Sequence, residues 1–157
     1  MVLHVHDKLH LDRIPRRYTV EAGKALADDW LLQADEGRYD LWVYGPNGFV
    51  REFRGSQRAR LGAAPEIKLR YNTGDSALRV IVANSGTEKA ILVVQANAYR
   101  SDGPWSVHVP AGGRISREWS VAASHCWYDF TVRNEDLEWR FAGRIEDGRP
   151  GFSDPAI

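Results

Sequence analysis

Hydrophobic and polar residues alternate along most of this chain, with little recurrence at helical spacing. In Tyr39-Asp40-Leu41-Trp42-Val43-Tyr44, Tyr39, Leu41 and Val43 share one face and Asp40 takes the other, the two-residue period of a half-buried strand. Gly45-Pro46-Asn47-Gly48 follows as a turn, and Phe49 to Phe53 returns as the partner strand. The pattern recurs in Tyr128 to Val132, a turn around Asn134-Glu135-Asp136, and Leu137 to Phe141, where Leu137, Trp139 and Phe141 alternate cleanly. Glu66 to Tyr71 and Ala77 to Asn84 read as two further strands around the turn Asn72-Thr73-Gly74-Asp75. Tyr18-Thr19-Val20 and Trp105 to Val109 are β-rich and each runs into an Ala-Gly turn, and the segments carrying Trp30 and Trp119 are expected to be strands as well. Glu21 to Gln33 has some helical character, but the matching segment after Gly112-Gly113 does not, so the fold class is all-β.

That matching is systematic. Residues 2–43 align without a gap on residues 91–132, with identities at Leu3/Leu92, Val5/Val94, Pro15/Pro104, Val20/Val109, Ala22/Ala111, Gly23/Gly112, Trp30/Trp119, Ala34/Ala123, Tyr39/Tyr128, Asp40/Asp129 and Val43/Val132. After one deleted residue, Phe53/Phe141 and Gly55/Gly143 continue the register. Residues 65–89, with their two strands, have no counterpart in the first copy. The expectation is two tandem, small, immunoglobulin-like β-sandwich repeats: residues 1–55 lacking the initial strands, a linker at 56–64, and a complete unit over 65–157 with a C-terminal tail.

The chain has 157 residues, 21 basic against 21 acidic, and a single cysteine, Cys126. Zero net charge removes the long-range attraction on which nucleic-acid binding depends, so no nucleic-acid partner is expected. An intrachain disulfide is impossible, and the longest apolar runs, such as Ala90 to Val94, fall far short of a membrane span. The N-terminus lacks the pattern of a signal peptide.

Several strings together resemble one family. Tyr39 to Phe49, Trp127 to Val132, and the ending Arg140-Phe141-Ala142-Gly143-Arg144-Ile145-Glu146-Asp147-Gly148-Arg149-Pro150-Gly151-Phe152-Ser153-Asp154-Pro155-Ala156 are similar to the C-terminal region of bacterial phosphocholine-specific phospholipases C, of non-haemolytic and haemolytic type. The resemblance implies tandem β domains attached to a large catalytic domain that is absent here. It also implies a parent that hydrolyses phosphatidylcholine or sphingomyelin and is exported by its own signal. The chain then reads as a fragment, or a product begun at an internal Met, opening within the first repeat.

Independent catalysis finds little support in the residues. His4 and His6 would share a strand face with Asp7 and His10 nearby, but their aligned residues, Val93 and Gln95, are not ligands, so no metal or cofactor is expected. Adjacent His125 and Cys126 on a strand would point to opposite faces, which separates a base from a nucleophile. Asp28-Asp29 and Glu135-Asp136 read as solvated charge. Asp40 and Asp129 recur beside an aromatic and suit a local structural role accepting backbone N–H groups. Recurrent Trp30 and Trp119, with Tyr39 and Tyr128, read as structural, whereas Trp42, Trp105 and Trp139 lack aligned aromatics and are candidates for an interface or a ligand platform.

The resulting expectation is a non-catalytic accessory region that packs on a phospholipase C catalytic domain, in cis or in trans, and orients it at a membrane surface. The alternative is a stand-alone carbohydrate- or lipid-binding module. A first repeat without its opening strands is expected to expose apolar surface, to be covered by another part of the parent, by the second repeat, or by a homo-oligomeric partner.

Overall fold

The computed structural model describes residues 1–146, 148 and 150–155. Asp147, Arg149, Ala156 and Ile157, part of the tail assigned to the second repeat, lie outside the described residues. Eleven strands make up the described fold: β1 (Val2–Asp7), β2 (Arg16–Thr19), β3 (Arg38–Tyr44), β4 (Val50–Ser56), β5 (Pro65–Asn72), β6 (Ala77–Asn84), β7 (Ala90–Ala98), β8 (Trp105–Val109), β9 (Arg114–Ser120), β10 (Trp127–Arg133) and β11 (Glu138–Arg144). Short 3-10 turns are the only helical elements among the described residues, and no helix is long and apolar enough to cross a membrane.

The strands form an eight-stranded sheet, ordered β2-β1-β3-β4-β11-β10-β7-β8, and a three-stranded sheet, β5-β6-β9. Repeat-related strands hold mirrored places in the large sheet: β1, β2, β3 and β4 on one side correspond to β7, β8, β10 and β11 on the other. The two copies meet where β4 pairs with β11, antiparallel, with Glu52 opposite Arg140. Because Glu52 and Arg140 are themselves equivalent in the repeat, an internal two-fold axis passes through this pair. The fold is all-β in two layers, as the alternation predicts, and its two copies are joined edge to edge through this ladder. Both copies contribute to one continuous sheet, and among the described residues the covering layer lies over the second.

Packing follows from that layer. One face of the large sheet carries Leu92, Val94, Val107, Val109, Phe130, Val132, Trp139 and Phe141, all buried beneath Leu78, Val80 and Val82 of β6 and Trp119 of β9. In the first copy the same face carries Leu3, Val5, Leu41, Val43 and Phe53, and of these only Val5 is buried. Phe130 and Val132 are 0% exposed, while their counterparts Leu41 and Val43 remain half-buried.

Residues 25–31, aligned with β9, do not form the expected strand. β9 is a strand because it pairs with β6 over Ala77 to Ala83. Among the described residues no strand equivalent to β6 lies beside 25–31, and an extended segment without a ladder partner gains no strand hydrogen bonds.

A paired tyrosine and glycine explains one of the repeat's signatures. Tyr39 lies opposite Gly55 and Tyr128 opposite Gly143. A β-carbon at Gly55 would stand 2.8 Å from the Tyr39 hydroxyl, and one at Gly143 would stand 3.0 Å from that of Tyr128. Each glycine makes room for its tyrosine ring to lie across the neighbouring strand.

Candidate interaction surface

The opposite face of the large sheet is polar and crosses the junction between the copies. Alternation along each strand lines up His6, Trp42, Glu52, Arg140, Thr131 and Gln95 as directly opposed residues on successive strands. Arg140 is the hub. It donates to both oxygens of Asp129, at 3.0 and 2.7 Å, and to Glu52 at 2.9 Å. Asn97 donates to Asp129 at 2.8 Å and to the Thr131 hydroxyl at 3.0 Å, extending the network onto β7. The bonds from Asp129 hold the Arg140 guanidinium well above its ordinary pKa, with Glu52 adding to the effect. Asp129 thus binds side chains, not the backbone N–H groups expected for it.

On the first copy the equivalent positions carry different chemistry. Lys8, Asp40 and Trp42 stand where Asn97, Asp129 and Thr131 stand in the second. The Lys8 ammonium lies 3.6 Å from the centre of the Trp42 ring, and Trp42 meets Tyr44 edge-on at 6.1 Å. His6 also packs edge-on to Tyr44, at 5.6 Å. Burial raises the Asp40 carboxyl above its usual range, against the pull of Lys8 and Arg54. Nearby, Arg54 bridges the junction to Glu138 at 3.1 Å.

The internal axis also relates two loop contacts. The turn at residues 45–48 sits against the Trp127 ring, so closely that a β-carbon on Gly48 would lie 2.7 Å from it. Where Trp127 fills that space, its counterpart is Arg38, and a cleft of about 430 Å³ opens beside Arg38, Asp40, Arg54, Asn134 and Glu138.

Between the two sheets lies Arg51, 8% exposed, in the place that Trp139 holds in the second copy. Its guanidinium donates to the Tyr71 hydroxyl at 2.5 Å, the Tyr128 hydroxyl at 2.8 Å, and the carbonyls of Val50 and Ala142 at 2.7 and 2.8 Å. It also lies 4.1 Å from the centre of the Phe49 ring. Burial holds the Tyr128 hydroxyl well above the ordinary phenol pKa. Arg51 ties β4 to β5, β10 and β11, so it fastens the first copy to both layers of the second.

The remaining sequence candidates are dispersed. Trp139, expected at the surface, is 5% exposed in the core, because its alternation with Leu137 and Phe141 puts it on the inner face. Trp105 packs edge-on to Trp119 at 5.4 Å, with Arg100 and Arg117 against its ring, and only Trp42 of the three lies on the outer face. Trp119 is buried against Phe130, and Trp30 lies over the Arg16 guanidinium at 4.0 Å. His4 and His6 share the outer face of β1, but Asp7 turns inward to accept from Leu9 N–H and Arg13, and His10 pairs with Asp35 at 2.7 Å. Among the described residues no three potential ligands converge on a metal position. His125 and Cys126 occupy a turn with positive φ, not a strand; His125 stacks on Phe152 while the Cys126 thiol is buried beside Ser76. The sequence shows Arg51 interrupting the alternation of its strand on the face that Trp139 fills in the second copy, but the partners of Arg51 and of Arg140, the counterpart of Glu52, come from other strands and leave no local signal.

The chain is similar to known proteins along nearly its whole length. The bacterial phospholipase C, C-terminal domain family matches residues 1–56 and again 65–144. A non-hemolytic phospholipase C of Pseudomonas aeruginosa is 41% identical over 99% of this chain, which spans 23% of that protein. A non-hemolytic phospholipase C of Burkholderia pseudomallei is 40% identical over 91% of the chain, 21% of its own length. A hemolytic phospholipase C of Pseudomonas aeruginosa is 35% identical, again over 91% of the chain and 22% of that protein. The chain spans less than a quarter of each of these relatives. With both copies matched and joined in one sheet, the chain belongs to the bacterial phospholipase C, C-terminal domain family.

Proposed function

We propose that this region serves as the non-catalytic partner of a phospholipase C catalytic domain, packing on it and stabilising it. The observation that carries the reading is the family match over both copies, in relatives whose other three-quarters and more lie outside the region. By the same reading the parent is an exported hydrolase of phosphatidylcholine or sphingomyelin. The cross-junction network of Glu52, Arg140 and Asp129 supports a rigid platform, since a surface that docks another domain gains from side chains already fixed in place. Burial of Trp139, the packing of Trp105 on Trp119, and Lys8 over Trp42 favour this over a glycan-binding module, which stacks sugars on free aromatic faces. Orientation at a membrane is the second element of the proposal, and Trp42, Tyr44 and Lys8 are the residues suited to a lipid headgroup region.

Size-exclusion chromatography of this chain mixed with the separately expressed catalytic portion of the Pseudomonas aeruginosa non-hemolytic enzyme tests the packing. Co-elution is expected, and independent elution at concentrations well above micromolar would refute it. Sedimentation with phosphatidylcholine vesicles tests the membrane element separately, with Trp42→Ala expected to reduce the bound fraction.

A further inference from the structure

The apolar inner face of the first copy has a built-in template for what covers it. In the second copy the equivalent face lies under β6 and β9, and Trp119 of β9 packs on Trp105 and Phe130. In the first copy, Trp30 already occupies the place of Trp119, and it lies over Arg16, the counterpart of Trp105. Asp28 fixes the segment further, accepting from Arg16 at 2.8 Å and from the Tyr18 hydroxyl. Residues 25–31 are therefore in position on the face, yet belong to neither sheet. Their counterparts, 114–120, bond along their whole length to β6, whose hairpin with β5 directly precedes β7. Around the vacant position Leu41 and Val43 are half-buried, and Leu26 and Leu31 are 52% and 75% exposed.

We propose that this face is an intramolecular docking surface for a two-stranded antiparallel hairpin of the β5–β6 kind. The polypeptide that runs ahead of this region in a full-length phospholipase C would supply it, with its inner strand pairing to residues 25–31. The proposal rests on the reading of the region as part of such an enzyme. The relatives' length provides the material, and β5–β6 sets the chemistry: aliphatic residues at alternate positions facing Leu3, Val5, Leu41 and Val43, with a free backbone edge toward 25–31.

The test places this chain in the Pseudomonas aeruginosa non-hemolytic enzyme in exchange for its homologous region, so that the host supplies the preceding polypeptide. Amide hydrogen exchange of residues 25–31 is expected to slow by about tenfold or more in the chimera relative to the chain alone, as ladder bonds form. A benzoylphenylalanine photo-crosslinker at Val43 is expected to capture the stretch just ahead of the region. Equal exchange rates in the two proteins would overturn the proposal. So would crosslinking to the distant catalytic portion or to a second molecule, an outcome that leaves packing on the catalytic domain intact. Should the chimera not fold, residues 65–89 supplied as a peptide to the isolated chain give the same readout: slowed exchange at 25–31 supports the proposal and unchanged exchange overturns it.

Discussion

Glu52 and Arg140 hold the same position in the two copies and face each other across the β4–β11 ladder, joined at 2.9 Å. A residue meeting its own counterpart marks a two-fold axis, as in isologous dimers, and here the axis lies within one chain. The opposite charges turn what would be a self-contact into an ion pair.

Arg140 is bound on two sides with unequal strength. Asp129 is nearly buried and holds the guanidinium through two bonds, whereas Glu52 is more open and holds it through one. Asp129→Asn is expected to cost about 1.5–3 kcal/mol, in the range of hydrogen bonds to charged groups, and Glu52→Gln about 0.2–1 kcal/mol. Double-mutant cycles by urea unfolding check the order. Only the Glu52 coupling should fade strongly in 1 M salt.

Arg51 presents a sharper case, because a buried guanidinium satisfied by hydroxyls and carbonyls cannot be replaced by a point charge. Arg51→Lys keeps the charge and loses the fork that reaches Tyr71, Tyr128 and two carbonyls at once. A loss of about 2–4 kcal/mol is expected, combining lost bonds with a desolvated ammonium. Thermal unfolding of the variant measures it, and a midpoint within a degree of the parent would remove Arg51 from the junction.

Gly55 and Gly23 separate two reasons for glycine. A side chain at Gly55 would meet Leu137 and Tyr39, while one at Gly23, at φ +73°, meets nothing within 4 Å. Gly55→Ala is expected to cost about 1–3 kcal/mol through overpacking, and Gly23→Ala about 1 kcal/mol through its backbone alone. Denaturation midpoints of the two variants should fall in that order.

Asp40 gives the pH signature. Its carboxyl is raised in the folded protein, so the folded state binds its proton more tightly than the unfolded chain does. Its contribution is therefore present below the unfolded-state pKa, near 3.9, and is lost as pH rises through the raised folded value. Asp40→Asn should become progressively more stable than the parent from pH 4 upward. Urea titrations between pH 3.5 and 7 follow the difference, and a constant offset would contradict the burial of this carboxyl.

Much of this fold was legible in the alternation of side chains. The strand pairs around residues 45–48, 72–76 and 134–137, and the identities at Tyr39/Tyr128 and Gly55/Gly143, describe local geometry that each copy must satisfy by itself. The union of β4 with β11 was not legible, because it joins residues far apart in sequence and leaves no turn as a marker. Trp139 lacks an aromatic counterpart in the first copy, but its own period-2 pattern with Leu137 and Phe141 decides its place in the core. Residues 25–31 show the converse: their composition matches a strand, yet a strand exists only with a neighbour to bond. The surface network was hidden for a related reason, since Glu52, Arg140 and Asp129 come together only once the register between copies is fixed.

The central claim, that this region stabilises a phospholipase C catalytic domain by packing on it, is tested most directly by thermal unfolding of that catalytic portion with and without the chain in trans. At a concentration of about 100 times the dissociation constant, binding should add about 2.7 kcal/mol to the catalytic portion's stability, raising its midpoint by several degrees. A midpoint unmoved by saturating amounts of the chain would contradict the account.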